Sequence, residues 1–189
     1  IGGSQGAKIF DRLFKNAIIK LSKNYNLKIY QQTNLINFEN LKKFYIDNNI
    51  NYELFDFNDD ISDLMCKANL CLTRAGASTL AELVFLNLPF VAIPLPTAKD
   101  NHQFENAFFY NKIGCNWILD QNEINDEIIT NKLVNIIDNK EEYLDKNSFF
   151  EEEKNEIEDF EFNQDFELDD QDQDTVRSPG WIRYQKRIK

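Results

Sequence analysis

Short apolar runs alternate with amphipathic segments of helical period along most of this chain, and that alternation leaves few folds open to it. Ile9, Leu13, Ala17 and Leu21, flanked by Phe10, Phe14 and Ile18, recur at helical spacing and predict a helix over 6–22. LKIYQQ (27–32) reads as a strand, 38–48 as a helix and YELF (52–55) as a second strand. Ile61, Leu64, Met65 and Ala68 mark a short helix before the strand NLCLT (69–73). A helix over 78–87, the strand FVAIPL (90–95) and a helix over 101–112 follow. NWIL (116–119), after Gly114, reads as a brief strand, and Ile124, Ile128, Ile129, Leu133 and Ile136 predict a helix over 124–139. Strands separated by helices indicate a parallel sheet covered on both faces. The expected fold class is therefore α/β, a doubly wound parallel sheet of Rossmann-like form, whose ligands bind beyond the carboxyl ends of the strands.

A chain of 189 residues with 42% hydrophobic side chains and 16 Phe can bury a sizeable core. The formal net charge is −11, and residues 151–189 hold 13 acidic against 6 basic side chains, so the first 150 residues are close to balanced. No basic face is left for nucleic acid. Cys66, Cys71 and Cys115 fit no zinc or CxxC spacing and read as reduced, mostly buried thiols of a cytoplasmic protein. The longest apolar stretch, LVFLNLPFVAIPLP, is interrupted by Asn and Pro and is too short to span a bilayer. No secretory signal is visible. The opening IGGSQGA is a Gly-Gly turn with little strand before it, so the chain reads as beginning mid-fold, a fragment or one half of a split protein.

The character changes near Phe149. The boundaries expected are a ligand-binding domain over 1–148 and an acidic tail over 149–189. EEEKNEIEDFEFNQDFELDDQDQD carries Phe160, Phe162, Phe166 and Leu168 without a helical stripe. It reads as disordered, with a short acidic-aromatic docking segment as the alternative. DDQDQDT lacks the glycine that a calcium loop requires at its turn. The closing RSPGWIRYQKRIK is basic with a Trp and suits weak contact with an anionic membrane.

Three stretches follow predicted strands on the same sheet edge. In TRAGASTLAEL (73–83), Gly76 permits a sharp turn and close approach of a ligand, and Ser78 and Thr79 suit the cap and first turn of a helix. Free N–H groups there, with the helix dipole behind them, suit a diphosphate. Glu82, a turn further on, suits a ribose diol, since a carboxylate accepts two hydrogen bonds and repels a phosphate. A well-capped helix with a solvated Glu explains the same residues without a ligand. GGSQGA (2–7), with Gly3 and Ser4, is a second Gly-rich turn opening a helix, but its spacing is not GxGxxG and it lacks the P-loop lysine. PTAKDNHQFENA (96–107) brings Asp100, Asn101, His102 and Gln103 to the start of a helix. His102, the sole histidine, suits capping as well as chemistry, and the neutral amide of Gln103 suits hydroxyl recognition and not proton transfer.

GGSQGA, FNDDISDLM, TRAGASTLAEL and LPFVAIPLPTAKDNHQFENA, in that order over roughly residues 1–145, resemble the C-terminal half of the MurG-type UDP-N-acetylglucosamine transferases of glycosyltransferase family 28. The resemblance implies one Rossmann-like half of a GT-B fold that binds UDP-GlcNAc. By motif position, Ser4 would contact the donor and the backbone of Asn58 would read the uracil edge. Ala77, Ser78 and Thr79 would present N–H groups to the diphosphate, Glu82 would hold the ribose and Gln103 the GlcNAc, with Leu80 and Ala81 also in the donor site and Gly3, Gly76 and His102 as secondary candidates. It also implies an inverting transfer to lipid I in peptidoglycan synthesis, on the inner face of the cytoplasmic membrane. The acceptor, with the catalytic group acting on it, would be held by an N-terminal half or a partner chain, so no catalytic residue is expected in these residues. No cofactor is implied, and Asp59-Asp60, which precede a helix, are not expected to bind a metal. The tail departs from the family pattern. Two other readings stand beside it: the separate catalytic subunit of a two-chain dolichol-linked GlcNAc transferase, and a non-enzymatic remnant acting through its acidic tail.

Overall fold

The computed structural model describes residues 10–139. Gly3 and Ser4, the first residues of the leading helix, the boundary at 148 and the whole acidic tail lie outside the described residues. A helical stretch over 10–13 bends at Phe14 and continues as α1 (Lys15–Ser22). Then come β1 (Lys28–Gln32), α2 (Leu35–Asp47), β2 (Asn51–Phe55), α3 (Ile61–Met65), β3 (Cys71–Thr73) and α4 (Ala77–Phe85). They are followed by β4 (Phe90–Ala92), a 3₁₀ turn (Lys99–Asn101), α5 (His102–Lys112), β5 (Asn116–Ile118) and α6 (Asp126–Asp138). Every predicted element within this span exists. The strand expected over 90–95 stops at Ala92, because Pro94 has no N–H to give to a ladder.

All pairing is parallel. β1 pairs with β2, Lys28 opposite Asn51, and β4 lies between β3 and β5, Phe90 facing Cys71 on one side and Asn116 on the other. Among the described residues the single sheet of the sequence reading is thus two sheets, β1–β2 and β3–β4–β5. Side chains carry the continuity. One apolar cluster joins Phe10, Phe14, Ala17 and Leu21 to Leu41 and Tyr45 of α2, to Val91 and Ile93 around β4, and to Ile129 and Leu133 of α6. β4 is wholly buried, as a short parallel strand with neighbours on both sides must be.

Helix ends are written in asparagine and glycine. Asn34 caps α2 by accepting from Asn37 N at 3.0 Å, and Asn125 caps α6 by accepting from Glu127 N and Ile128 N. At the other end, α2, α4 and α5 stop in the same way, at a residue with positive φ: Asn49 (54°), Asn87 (50°) and Gly114 (82°). The next N–H in each case reaches back five residues, from Ile50 to Tyr45 O, Leu88 to Leu83 O and Cys115 to Tyr110 O, each at 2.9 Å. A strand starts one or two residues later, so each cap aims the chain straight back into its ladder.

One polar network lies within this core. The buried carboxylate of Asp11 accepts from Gln31 Nε2 (2.7 Å), Thr33 Oγ1 (2.9 Å) and Asn37 Nδ2 (2.8 Å), and the Tyr45 hydroxyl donates to Gln31 Oε1. Burial and the neighbouring Asp11 push the Tyr45 hydroxyl well above the ordinary phenol range. The network ties the leading helical stretch to β1 and α2. Asp11→Ala strips three donors of their acceptor, and it is expected to lower the unfolding free energy by about 2–3 kcal/mol. Urea titration checks this as a lower midpoint at unchanged slope; a negligible shift would show the donors to be solvated.

Candidate functional site

α4 is anchored by Leu80 and Leu83, both with 0% exposure. Burying each contributes about 1.5–3 kcal/mol. With that face inward, Ala77, Ser78 and Ala81 are exposed and Thr79 and Glu82 half-buried. The helix starts one residue earlier than expected. Gly76 is the N-cap, Ala77 the first helical residue, and no side chain caps the end. Ser78 is therefore not a cap. The first intrahelical bond is Leu80 N to Gly76 O at 3.0 Å, which leaves the N–H groups of Ala77, Ser78 and Thr79 without intrahelical partners. Leu80 is accordingly a core anchor, and its N–H is already used.

Gly76 also departs from expectation. Its φ of −70° and ψ of 134° are open to any residue, so no sharp turn requires a glycine. A Cβ there would meet nothing nearer than Thr79 Oγ1 at 3.9 Å. The local packing therefore does not require a glycine at this N-cap. Glu82 stands one turn beyond Ser78 and Thr79 on the same side of the helix. Burial raises its carboxyl pKa above the ordinary value.

After β4 the chain passes through Pro94 and Pro96 into the 3₁₀ turn, where Asp100 and Asn101 both adopt left-handed φ (50° and 57°). Asn and Asp tolerate that region better than other non-glycine residues. His102 then opens α5, exposed, its Nδ1 2.6 Å from Lys99 O. A carbonyl only accepts, so Nδ1 carries the proton and the ring serves to close the turn. Gln103 is half-buried, and its Oε1 accepts from Leu95 N at 2.9 Å. That bond orients the amide, since a backbone N–H can donate only to its oxygen, and it commits the oxygen while leaving Nε2 as the donor to offer. Asn58 follows β2 and accepts from Asp60 N at 2.8 Å, a local turn leading into α3, beside Phe57 at 79% exposure.

Sequence reasoning missed Arg74. Its side chain is only 9% exposed. Nη1 donates to Ile93 O (2.8 Å) and Pro94 O (3.3 Å), and Nη2 to Gln121 Oε1 (2.6 Å). The guanidinium carbon lies 5.6 Å from the centre of the Phe10 ring, and Nε is buried with no hydrogen-bond partner. Among the described residues no carboxylate pairs with it, and burial lowers its pKa. Asn106 of α5 was missed as well; its Nδ2 donates to Ala75 O at 3.1 Å and ties α5 to the loop before α4. Nothing local marks either residue, since an arginine at a strand end ordinarily reads as a surface cation.

No disulfide joins the three cysteines; Cys71 and Cys115 are buried and Cys66 is exposed, in keeping with mostly buried thiols. Among the described residues no three His, Cys, Asp or Glu side chains are gathered for a metal, and no helix is long and apolar enough to cross a membrane.

Parallel ladders, helices between them and a helix N-terminus opening past β3 place the chain in the class of Rossmann-like α/β domains. The crystal structure of Acinetobacter baumannii MurG superposes with a TM-score of 0.66 at 29% identity, over 72% of this chain and 40% of that one, so the domain is one half of a GT-B fold. The model of the glycosyltransferase family 28 C-terminal domain matches residues 1–160, and the chain belongs to that family. A Pelagibacter ubique protein named UDP-N-acetylglucosamine--N-acetylmuramyl-(pentapeptide) pyrophosphoryl-undecaprenol N-acetylglucosamine transferase is 71% identical over 146 residues. That match covers 77% of this chain and 41% of the relative. A Rickettsia typhi protein of the same name is 41% identical over 143 residues, 74% of this chain and 37% of its own length. The chain thus spans about two fifths of the relatives it matches.

The raised pKa of Glu82 has a consequence for stability. The folded state binds this proton more tightly than the unfolded state, so wild-type protein loses stability as pH rises from the ordinary carboxylate range through the folded value. Glu82→Gln removes that dependence. Its melting temperature should match wild type at the acidic end and exceed it, by an amount that grows and then levels off, toward neutral pH. A Glu82→Gln protein less stable than wild type at neutral pH would mean the carboxylate is held by partners.

Proposed function

We propose that this chain is the donor-binding half of an inverting glycosyltransferase that moves GlcNAc from UDP-GlcNAc to lipid I, giving lipid II for peptidoglycan. The observation that carries this is the open N-terminus of α4, three N–H groups without intrahelical partners, with Glu82 one turn on. The names of relatives at 71% and 41% identity support the choice of donor and acceptor.

In this reading the N–H groups of Ala77, Ser78 and Thr79, with the dipole of α4, hold the diphosphate. They act most strongly as the glycosidic bond breaks and negative charge develops on departing UDP. Glu82 accepts from the two ribose hydroxyls. Because burial has taken water from this carboxylate, those hydroxyls restore hydrogen bonds it lacks in the free protein. Gln103 offers its Nε2 to an oxygen of the sugar, and the backbone near Asn58 faces the uracil. Ser4 and Gly3, outside the described residues, would complete the diphosphate cradle. The acceptor hydroxyl and the base that deprotonates it are assigned to residues outside this chain, in an acceptor half or a partner. A lipid-linked acceptor puts the working enzyme on the inner face of the cytoplasmic membrane. No metal or cofactor is invoked.

Thermal unfolding with UDP-GlcNAc, UDP and ADP tests the reading. Saturating uridine ligand at a hundred times its dissociation constant should add about 2.7 kcal/mol of stability, ADP should add little, and Glu82→Ala should weaken both uridine effects. A folded sample stabilised by neither uridine ligand would remove the donor-site reading. Glu82 sets a pH dependence too. Ribose binding favours the carboxylate, so uridine affinity should hold above the raised pKa of Glu82 and fall as pH drops through it, read by calorimetry.

A further inference from the structure

We infer that Arg74 is a positioning residue for sugar recognition, acting on Gln103 through a single peptide group. The inference rests on the donor-site reading above and goes beyond it to a residue that touches no part of the ligand.

Pro94 C=O and Leu95 N–H belong to the same peptide unit. That unit is planar and, as no described peptide is cis, its carbonyl and its N–H point in opposite directions. Arg74 Nη1 holds the carbonyl at 3.3 Å, and Gln103 Oε1 holds the N–H at 2.9 Å. The orientation of the peptide plane therefore sets the orientation of the Gln103 amide, and so where Nε2 is presented. Without the guanidinium, the plane between two prolines would be free to rotate about its flanking bonds, and Gln103 would lose its anchor.

Arg74 is suited to this by its surroundings. Nη1 also takes Ile93 O at 2.8 Å, so two successive carbonyls are held by one nitrogen, and Nη2 is fixed to Gln121 Oε1 at 2.6 Å in the loop after β5. The Phe10 ring lies against the guanidinium. A planar, five-donor cation fits that set of acceptors; an ammonium cannot reach the same three oxygens from one stem. Asn106, holding Ala75 O from the same helix as Gln103, keeps α5 and the loop before α4 in one frame.

The test measures affinities of the full chain for UDP and UDP-GlcNAc by calorimetry, in wild type, Arg74→Lys, Gln103→Ala and the double variant. UDP lacks the sugar, so the ratio of the two affinities isolates the sugar contact. Arg74→Lys should lower the UDP-GlcNAc to UDP ratio by about tenfold, as Gln103→Ala does, since one lost hydrogen bond in a formed site is of that order. The double variant should lose no more than either single one. Gln121→Leu, which frees one arm of the guanidinium from a loop residue, should lower the ratio by about twofold to threefold, and it provides the answer should Arg74→Lys not fold. An unchanged ratio in the folded Arg74 variant or in Gln121→Leu, equal losses for UDP and UDP-GlcNAc, or additive losses in the double variant would each overturn the inference while leaving the donor site standing. Wild type that binds neither ligand would overturn the donor site itself, and this inference with it.

Discussion

A guanidinium taken out of water without a carboxylate is costly, and a fold keeps one only where its hydration is replaced donor by donor. Arg74 recovers most of that hydration from Ile93 O, Pro94 O and Gln121 Oε1, and some from the face of Phe10. Arg74 follows β3, and its partners come from beyond the ends of β4 and β5 in the same parallel sheet and from the leading helical stretch. Such strands diverge where their ladders stop, at the edge where ligands of α/β sheets bind. A cation bridging the carbonyls there closes the edge without covering it. The loops carrying the N–H groups of α4 and the amide of Gln103 are thereby held against each other.

Most of the fold is legible in the chain because its determinants are local. Apolar residues at helical or strand spacing locate the elements to within a few residues. Gly114 marks the start of β5, as its positive φ requires. Asn49 and Asn87 perform the same turn for α2 and α4, yet asparagine is common on surfaces and carries no comparable signal. The division into two sheets was not legible, since strand order depends on pairings between residues far apart in the chain and leaves no periodic trace.

The candidate site was legible in outline only. Gly76, Ser78, Glu82 and Gln103 stand out in the sequence because Gly-rich turns, small hydroxyls and amides at helix starts carry a recognisable chemistry. Their individual parts shifted once the packing was known. Leu80 went to the core because α4 must bury one face, and Ser78 moved from cap to second helical residue because Gly76 ends the extended segment. His102, a secondary candidate by its place at a helix start, closes a turn.

By itself the sequence determined the elements, their order, the parallel α/β class and the membership of a glycosyltransferase family, because period, turn chemistry and motif spacing act over a few residues at a time. The tertiary structure alone decided which polar groups are spent on the fold and which remain for a ligand. Arg74 finds its partners 19, 20 and 47 residues away, and Gln103 gives its oxygen to a backbone N–H eight residues back. Burial strips a side chain of water only when distant segments close over it, and no window along the chain records that event.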